Sequence, residues 1–147
     1  MAFVIAATVI LLDQITKIVI QTNVSLHNVP VIKGFFSLVY LKNTGAAWSM
    51  FSGMTGVLAL VSAVAVGVLI WYLTVKKPVG LTRIALALML GGAAGNLIDR
   101  LFLQYVRDFL SFNIFGYAFP VFNIADVALC IGVFLLAVSA FTEEEGK

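Results

Sequence analysis

Acidic residues are scarce in this sequence, and their placement is its most telling property. Only seven of 147 residues are Asp or Glu, and Glu143, Glu144 and Glu145 take three of those places near the end. Histidine and cysteine occur once each, as His27 and Cys130. A single cysteine excludes an internal disulfide, and one of each argues against a His/Cys metal cage. Charged residues make up 11% of the chain and hydrophobic residues 62%. Soluble domains run nearer a quarter charged and half apolar, so the chain reads as an integral membrane protein with little outside the bilayer. The formal net charge of +2 says little about partners, and no basic nucleic-acid arm is present. No Lys or Arg precedes the apolar run Phe3 to Leu12, and no small-residue cleavage site follows it. That run is therefore expected to be a retained transmembrane helix and not a signal peptide.

What is present is organised around four apolar segments, at about 2–22, 54–75, 81–102 and 122–141. Each has roughly the 20 residues a helix needs to cross a bilayer. The expectation is an all-α membrane protein, a single integral domain over residues 1–147. The short connection between spans two and three carries Lys76, Lys77 and Arg83, which marks it as cytoplasmic and puts both termini there. The two outer connections are richer. Residues 28–52, with Phe35 to Leu41 and an Asn43-Thr-Gly45 turn signal, predict a small extracytoplasmic β element. Residues 105–121 predict an aromatic-rich loop at headgroup level. Glu143 to Lys147 reads as a solvated tail.

The four aspartates, Asp13, Asp99, Asp108 and Asp126, all lie inside or beside apolar segments. Carboxylates near a lipid core are costly and mark function or a built-in partner. Asp13 and Lys17 form an i, i+4 pair with the acid first, the favourable orientation. Gly91 and Gly95 are spaced for close helix packing. Asn96, Asp99 and Arg100 share a helix face, and Asp99 with Arg100 reads as a structural ion pair. Asn123 and Asp126 share another face, with Asn123 placed to cap the fourth span. Asp99, Asp108 and Asp126 fall near one membrane level. Two converging carboxyl groups cannot both ionise easily; one keeps a proton, and the other can activate water. That is aspartic-protease chemistry, and it needs no metal or cofactor. The spacing leaves three acids for two roles.

At these residues the chain resembles the lipoprotein signal peptidase (signal peptidase II) family. The motifs are Asp13-Gln-Ile-Thr-Lys17, Asn43-Thr-Gly-Ala-Ala47, Gly91 through Arg100, Val106-Arg-Asp-Phe109 and Phe119 through Asp126. Each is short, but five in order over a four-span chain are specific. The resemblance implies an inner-membrane aspartic endopeptidase. It would cut prolipoproteins before a diacylglyceryl-modified cysteine and be open to globomycin-type cyclic peptides. It implies Asp108 and Asp126 as the catalytic pair and Asn43, Asn96, Arg100 and Asn123 as substrate-binding. Asp99, held by or near Arg100, would support the pocket, with Asp13 and Lys17 behind it. A monomer among membrane lipids is expected, with the active site near the outer face. Two positions depart from the family pattern. Arg107 stands where Val is frequent; folded back it would lower the pKa of Asp108, but it is expected to point to headgroups, and Val127 stands where Ser is common. Cys130 is expected to be a small core residue. The rival reading is a small four-helix proton-coupled transporter using Asp13; the clustering of acids at one face and the structured outer loops argue against it.

Overall fold

The computed structural model describes residues 1–46 and 50–144. Ala47 of the Asn43–Ala47 motif, positions 48 and 49 of the outer β segment, and Glu145 to Lys147 of the expected tail lie outside the described residues. Four long helices set the frame: α1 (Ala2–Thr22), α2 (Thr55–Trp71), α3 (Gly80–Leu103) and α4 (Ile124–Glu144). A π-helical turn, Tyr72–Lys76, extends α2. All four are long and apolar enough to cross a membrane. They match the expected spans to within about three residues. The helix α4 runs on through Glu144, so the backbone of Glu143 and Glu144 is helical.

The helix α3 is the hub, because it packs against each of the other three, while α2 makes no extended contact with α4. Small residues on α3 permit this. A Cβ on Gly91 would come within 2.6 Å of Val9 on α1, and one on Gly92 would run into the Ala125 carbonyl of α4. On α4, Gly132 lies against Ala85 and Met89 of α3 in the same way. Without a hydrophobic drive between helices in lipid, such close backbone approach supplies the van der Waals packing that holds a bundle together. The outward faces stay apolar, as at Leu11, Val64 and Phe134, all more than half exposed.

Four strands sit at one end of the bundle: β1 (Val29–Ile32), β2 (Phe36–Asn43), β3 (Val106–Ile114) and β4 (Tyr117–Ala118). They form an antiparallel sheet in the order β1-β2-β3-β4. The β element foreseen between α1 and α2 is therefore half of the sheet. The aromatic stretch expected to be a loop is the other half, a hairpin pairing with β2. Local composition could not reveal this, because the β2–β3 register, with Leu41 opposite Asp108 and Asn43 opposite Val106, joins segments far apart in sequence. Aromatic rings tie the layers: Phe112 stacks on Phe36 at 4.7 Å and on Phe122 at 5.7 Å between centroids. Phe122 also pairs with Leu110 through the backbone, N to O at 3.1 Å and O to N at 2.8 Å. That bridge fixes the start of α4 against β3.

Candidate active site

The Leu110–Phe122 bridge puts Asn123 next to Asp108. The side chain of Asn123 is fully buried and does three things at once. Its Oδ1 accepts the backbone N–H of Asp126 at 3.0 Å, and the Asn123 N–H returns to Asp126 Oδ2 at 3.3 Å. This reciprocal pattern is a capping box that starts α4 with its acid in the first turn, where the helix dipole favours negative charge. The Asn123 Nδ2 then donates to Asp108 Oδ1 at 2.6 Å and to Asn96 Oδ1 at 3.1 Å. One residue thus bridges Asp108 on β3 and Asp126 on α4.

Two further amides complete the ring. From β2, Asn43 Nδ2 donates to Asp108 Oδ2 at 2.8 Å. From α3, Asn96 Nδ2 donates to Asp126 Oδ1 at 2.7 Å. The orientation of each amide is set by a partner that can only donate. The Asn43 oxygen accepts the Gly45 N–H, the Asn96 oxygen accepts the Lys17 ammonium at 3.0 Å, and the Asn123 oxygen accepts the Asp126 N–H. All three asparagines must therefore turn NH₂ groups toward the carboxylates. Asp108, only 2% exposed, has an amide donor on each oxygen; half-buried Asp126 has one amide and one longer backbone donor. Burial pushes the Asp108 carboxyl up from 3.8 to about 6. Asp126, when ionised, adds to the rise, and the Asn43 and Asn123 donors hold it back.

Behind this ring lies a buried charge cluster. Lys17 Nζ meets Asp13 at 2.8 Å and Asp99 at 3.4 Å, with all three side chains fully buried. The foreseen Asp13–Lys17 pair is present, and Asp13 does more: its Oδ1 accepts the Ala125 N–H at 3.0 Å. Asp99 does not pair with Arg100 as expected. Asp99 pairs with Arg107, through Nη2 at 2.6 Å, Nε at 3.2 Å and the Arg107 N–H at 2.9 Å. Arg107 is 6% exposed and does not reach headgroups. Alternation along β3 turns its side chain inward between α1 and α3, while Val106 and Asp108 face the cavity. Gln14 and Gln21 take two more of the guanidinium donors at 2.8 and 2.9 Å. Sequence reading overlooked both glutamines. Asp13, Gln14, Lys17 and Gln21 form one polar stripe on an otherwise apolar helix, and that stripe was the available signal.

Arg100 stays apart from Asp99 and turns to a cavity of about 720 Å³. Its guanidinium makes two loose hydrogen bonds at 3.4 Å, to Ser62 Oγ of α2 and to the Gly45 carbonyl. The cavity fills the cleft between α2 and α4 and has the size of a ligand pocket. Asn43, Asn96, Asp108 and Asp126 all line it. Its walls are largely apolar, from Val61 and Ala65 to Leu129 and Ile131. Cys130 also lines it and is exposed, so it is not a core residue. The room between α3 and its neighbours that Gly91 to Gly95 provide is filled by α1 and α4; only Ala93 of that stretch opens on the cavity.

Membrane-length helices beside an apolar cleft with two amide-held carboxylates on its wall define a multi-pass membrane protein with a ligand-sized site. A solved bacterial membrane enzyme has the same fold, with a TM-score of 0.89 at 34% identity, covering 99% of this chain and 90% of that one. The model of the signal peptidase (SPase) II family matches residues 5–142. The chain belongs to the signal peptidase II family and is a membrane peptidase of that family. It is 45% identical over 143 residues to the lipoprotein signal peptidase of Geobacter sulfurreducens, covering 94% of this chain and 89% of the relative. It is 38% identical over 150 residues to that of Clostridium acetobutylicum, covering 100% and 97%. With that of Bacillus subtilis it shares 39% identity over 147 residues, covering 99% and 96%.

Proposed function

We propose that this chain is an intramembrane aspartic endopeptidase that removes signal peptides from diacylglyceryl-modified prolipoproteins, cutting before the lipidated cysteine. The observation that carries the proposal is the Asn123 bridge, which ties Asp108 and Asp126 into one unit on the wall of an apolar cavity. Asp108 takes a proton from the attacking water. Asp126 lends its proton to the scissile carbonyl oxygen. Collapse of the tetrahedral species then returns a proton to the departing amine. The roles follow from hydrogen bonding. Asp108 accepts an amide N–H on both oxygens, which favours the carboxylate. The Asp126 oxygen facing the 3.3 Å backbone donor is the weakest-held of the four, and it keeps the shared proton.

Arg100, Asn43 and Asn96 present donors to the substrate backbone, and the apolar walls take the signal helix and lipid from the cleft between α2 and α4. Exposed rings of the β3–β4 hairpin, Phe115 and Tyr117, rest at the headgroup level of the outer leaflet. The Lys76, Lys77 and Arg83 connection faces the cytoplasm, as do both termini. One chain supplies the whole site, and cyclic peptides of the globomycin type compete for the same cavity. A proton-coupled transporter would require its acids along a path through the membrane, whereas Asp108 is carried on a sheet at the bundle end.

Cleavage of a lipidated prolipoprotein, read as a gel shift, tests the reading. Asp108→Asn and Asp126→Asn each lose about a hundredfold or more in rate, the scale of general acid–base catalysis, while inserting and folding normally. Robust turnover by either variant removes that residue from the pair. Liposomes carrying the wild-type protein show no coupled proton flux.

A further inference from the structure

Arg107 neighbours Asp108 in sequence, yet its side chain leaves the cavity and enters the interior. We propose that Arg107 is a positioning residue that closes a charge-balanced quartet with Asp13, Lys17 and Asp99, so fixing where Asp108 points and the pH range in which it acts. The inference rests on the aspartic reading above.

The geometry is that of a clamp. Arg107 engages Asp99 on both oxygens, and its backbone N–H is held by the same carboxylate. Its other donors reach Gln14 and Gln21 on α1. The strand β3 is thereby bolted to α1 and α3 at the residue before Asp108. Alternation then sends Asp108 to the opposite face, onto the donors of Asn43 and Asn123. A planar fork with fixed donors does this; a point charge does so only in part.

Asp13 and Asp99 carry two negative charges, and Lys17 and Arg107 two positive ones. Remove Arg107, and a buried negative charge is left behind two carboxylates, one of which must ionise. Like charge in a low-dielectric interior disfavours that ionisation. The other groups facing Arg107 do not duplicate it. On β2, its register partner Lys42 lies over the Tyr105 ring at 5.0 Å. Tyr40, pushed up to about 12 by burial and by the Tyr105 hydroxyl, stays neutral. His27 stacks on Tyr40 at 4.9 Å and holds the Ile20 carbonyl. Around Asp108 the charged neighbours are Asp126 from α4, Lys17 from α1 and Arg100 from α3.

The test is a pH–rate profile of the full-length protein on a diacylated fluorogenic peptide, in a His27→Gln background that removes the one imidazole. Arg107→Leu lowers kcat about tenfold to a hundredfold, as misplacement of a reacting group does, and leaves KM within about twofold. Its acid limb moves to higher pH. Arg107→Lys returns the limb but only part of kcat. Asp99→Asn leaves the quartet with one excess positive charge, and its limb moves the other way. Opposite displacements are the signature, because a role in packing alone lowers rate or melting temperature without moving the limb. Limbs that coincide with wild type in both variants overturn the proposal. If Arg107→Leu does not fold, Asp99→Asn and Arg107→Lys decide: an unmoved limb in the first overturns it. Asp108→Asn is run alongside. If it turns substrate over, the aspartic reading fails; if it is inactive while the limbs coincide, only this inference fails.

Discussion

Asp13 on α1 accepts the backbone N–H of Ala125 at 3.0 Å, so a carboxylate from the first span caps the helix that carries Asp126. Its other oxygen holds Lys17 at 2.8 Å, and Lys17 in turn donates to Asn96, which donates to Asp126. Two routes therefore run from α1 to the same acid, one through backbone and one through side chains. A residue remote from the cavity controls the placement of a residue inside it.

Asp13→Asn follows directly from that relationship. The amide can still accept from Ala125, but its NH₂ must then face the Lys17 ammonium, which loses its nearer carboxylate and is left with Asp99 at 3.4 Å. Breaking a buried pair from one side costs about 3–5 kcal/mol. The melting temperature in detergent is expected to fall clearly, and activity with it. A melting curve equal to wild type contradicts the buried-pair reading.

Asn123 serves as cap and bridge, and two substitutions separate the roles. Asn123→Asp keeps an N-cap acceptor but replaces the donor to Asp108 with a third acid, so activity is lost with helix capping intact. Asn123→Ala removes the cap as well, which costs about 1 kcal/mol, and leaves buried groups unpaired, about 1–3 kcal/mol more. Both lose activity, and only the second loses the capping contribution. Near-wild-type turnover by Asn123→Asp removes the bridge from the mechanism.

What the sequence could disclose follows a physical divide. The helices were legible because a bilayer demands long apolar runs. The Asp13–Lys17 pair and the Asn123–Asp126 cap were legible because both are local, set by helical spacing. Asp99 went to the wrong partner because its true one, Arg107, sits on a strand whose register depends on distant β2. The same nonlocal pairing hid the hairpin within an aromatic stretch. Convergence of Asp108 with Asp126 needs the Leu110–Phe122 bridge, which no periodicity announces; only family resemblance separated Asp108 from Asp99.

Gly92 tests the packing that aligns α3 with α4. A Cβ there would press into the Ala125 carbonyl and come within 2.7 Å of Leu129 Cγ. The obstacle is backbone beside Asp126, so α4 must shift. Gly92→Ala is expected to cost about 1–3 kcal/mol by overpacking and to lower kcat more than a change on a lipid-facing residue does. Gly56, with open space around it, is the control: Gly56→Ala leaves both unchanged. Equal behaviour of the two variants argues against close α3–α4 packing as the reason for glycine.

Under the proposed mechanism Asp108 is expected to link pH to both rate and stability, with opposite signs. The carboxyl is raised by burial to about 6 from 3.8, so the folded protein binds this proton more tightly than the unfolded chain. Its contribution to stability is therefore fully present below the unfolded value and is lost as pH rises through about 6. Acidification from neutral toward pH 4 is expected to stabilise wild type relative to Asp108→Asn, which has no such proton to bind. Under the proposed mechanism proteolysis needs Asp108 ionised and is expected to fall over the same interval, with its acid limb near 6. Parallel melting and rate profiles of the two proteins check the claim. A melting difference that stays flat across this interval shows that Asp108 is not raised, and the carboxylate then sits in a more solvated site than its 2% exposure indicates.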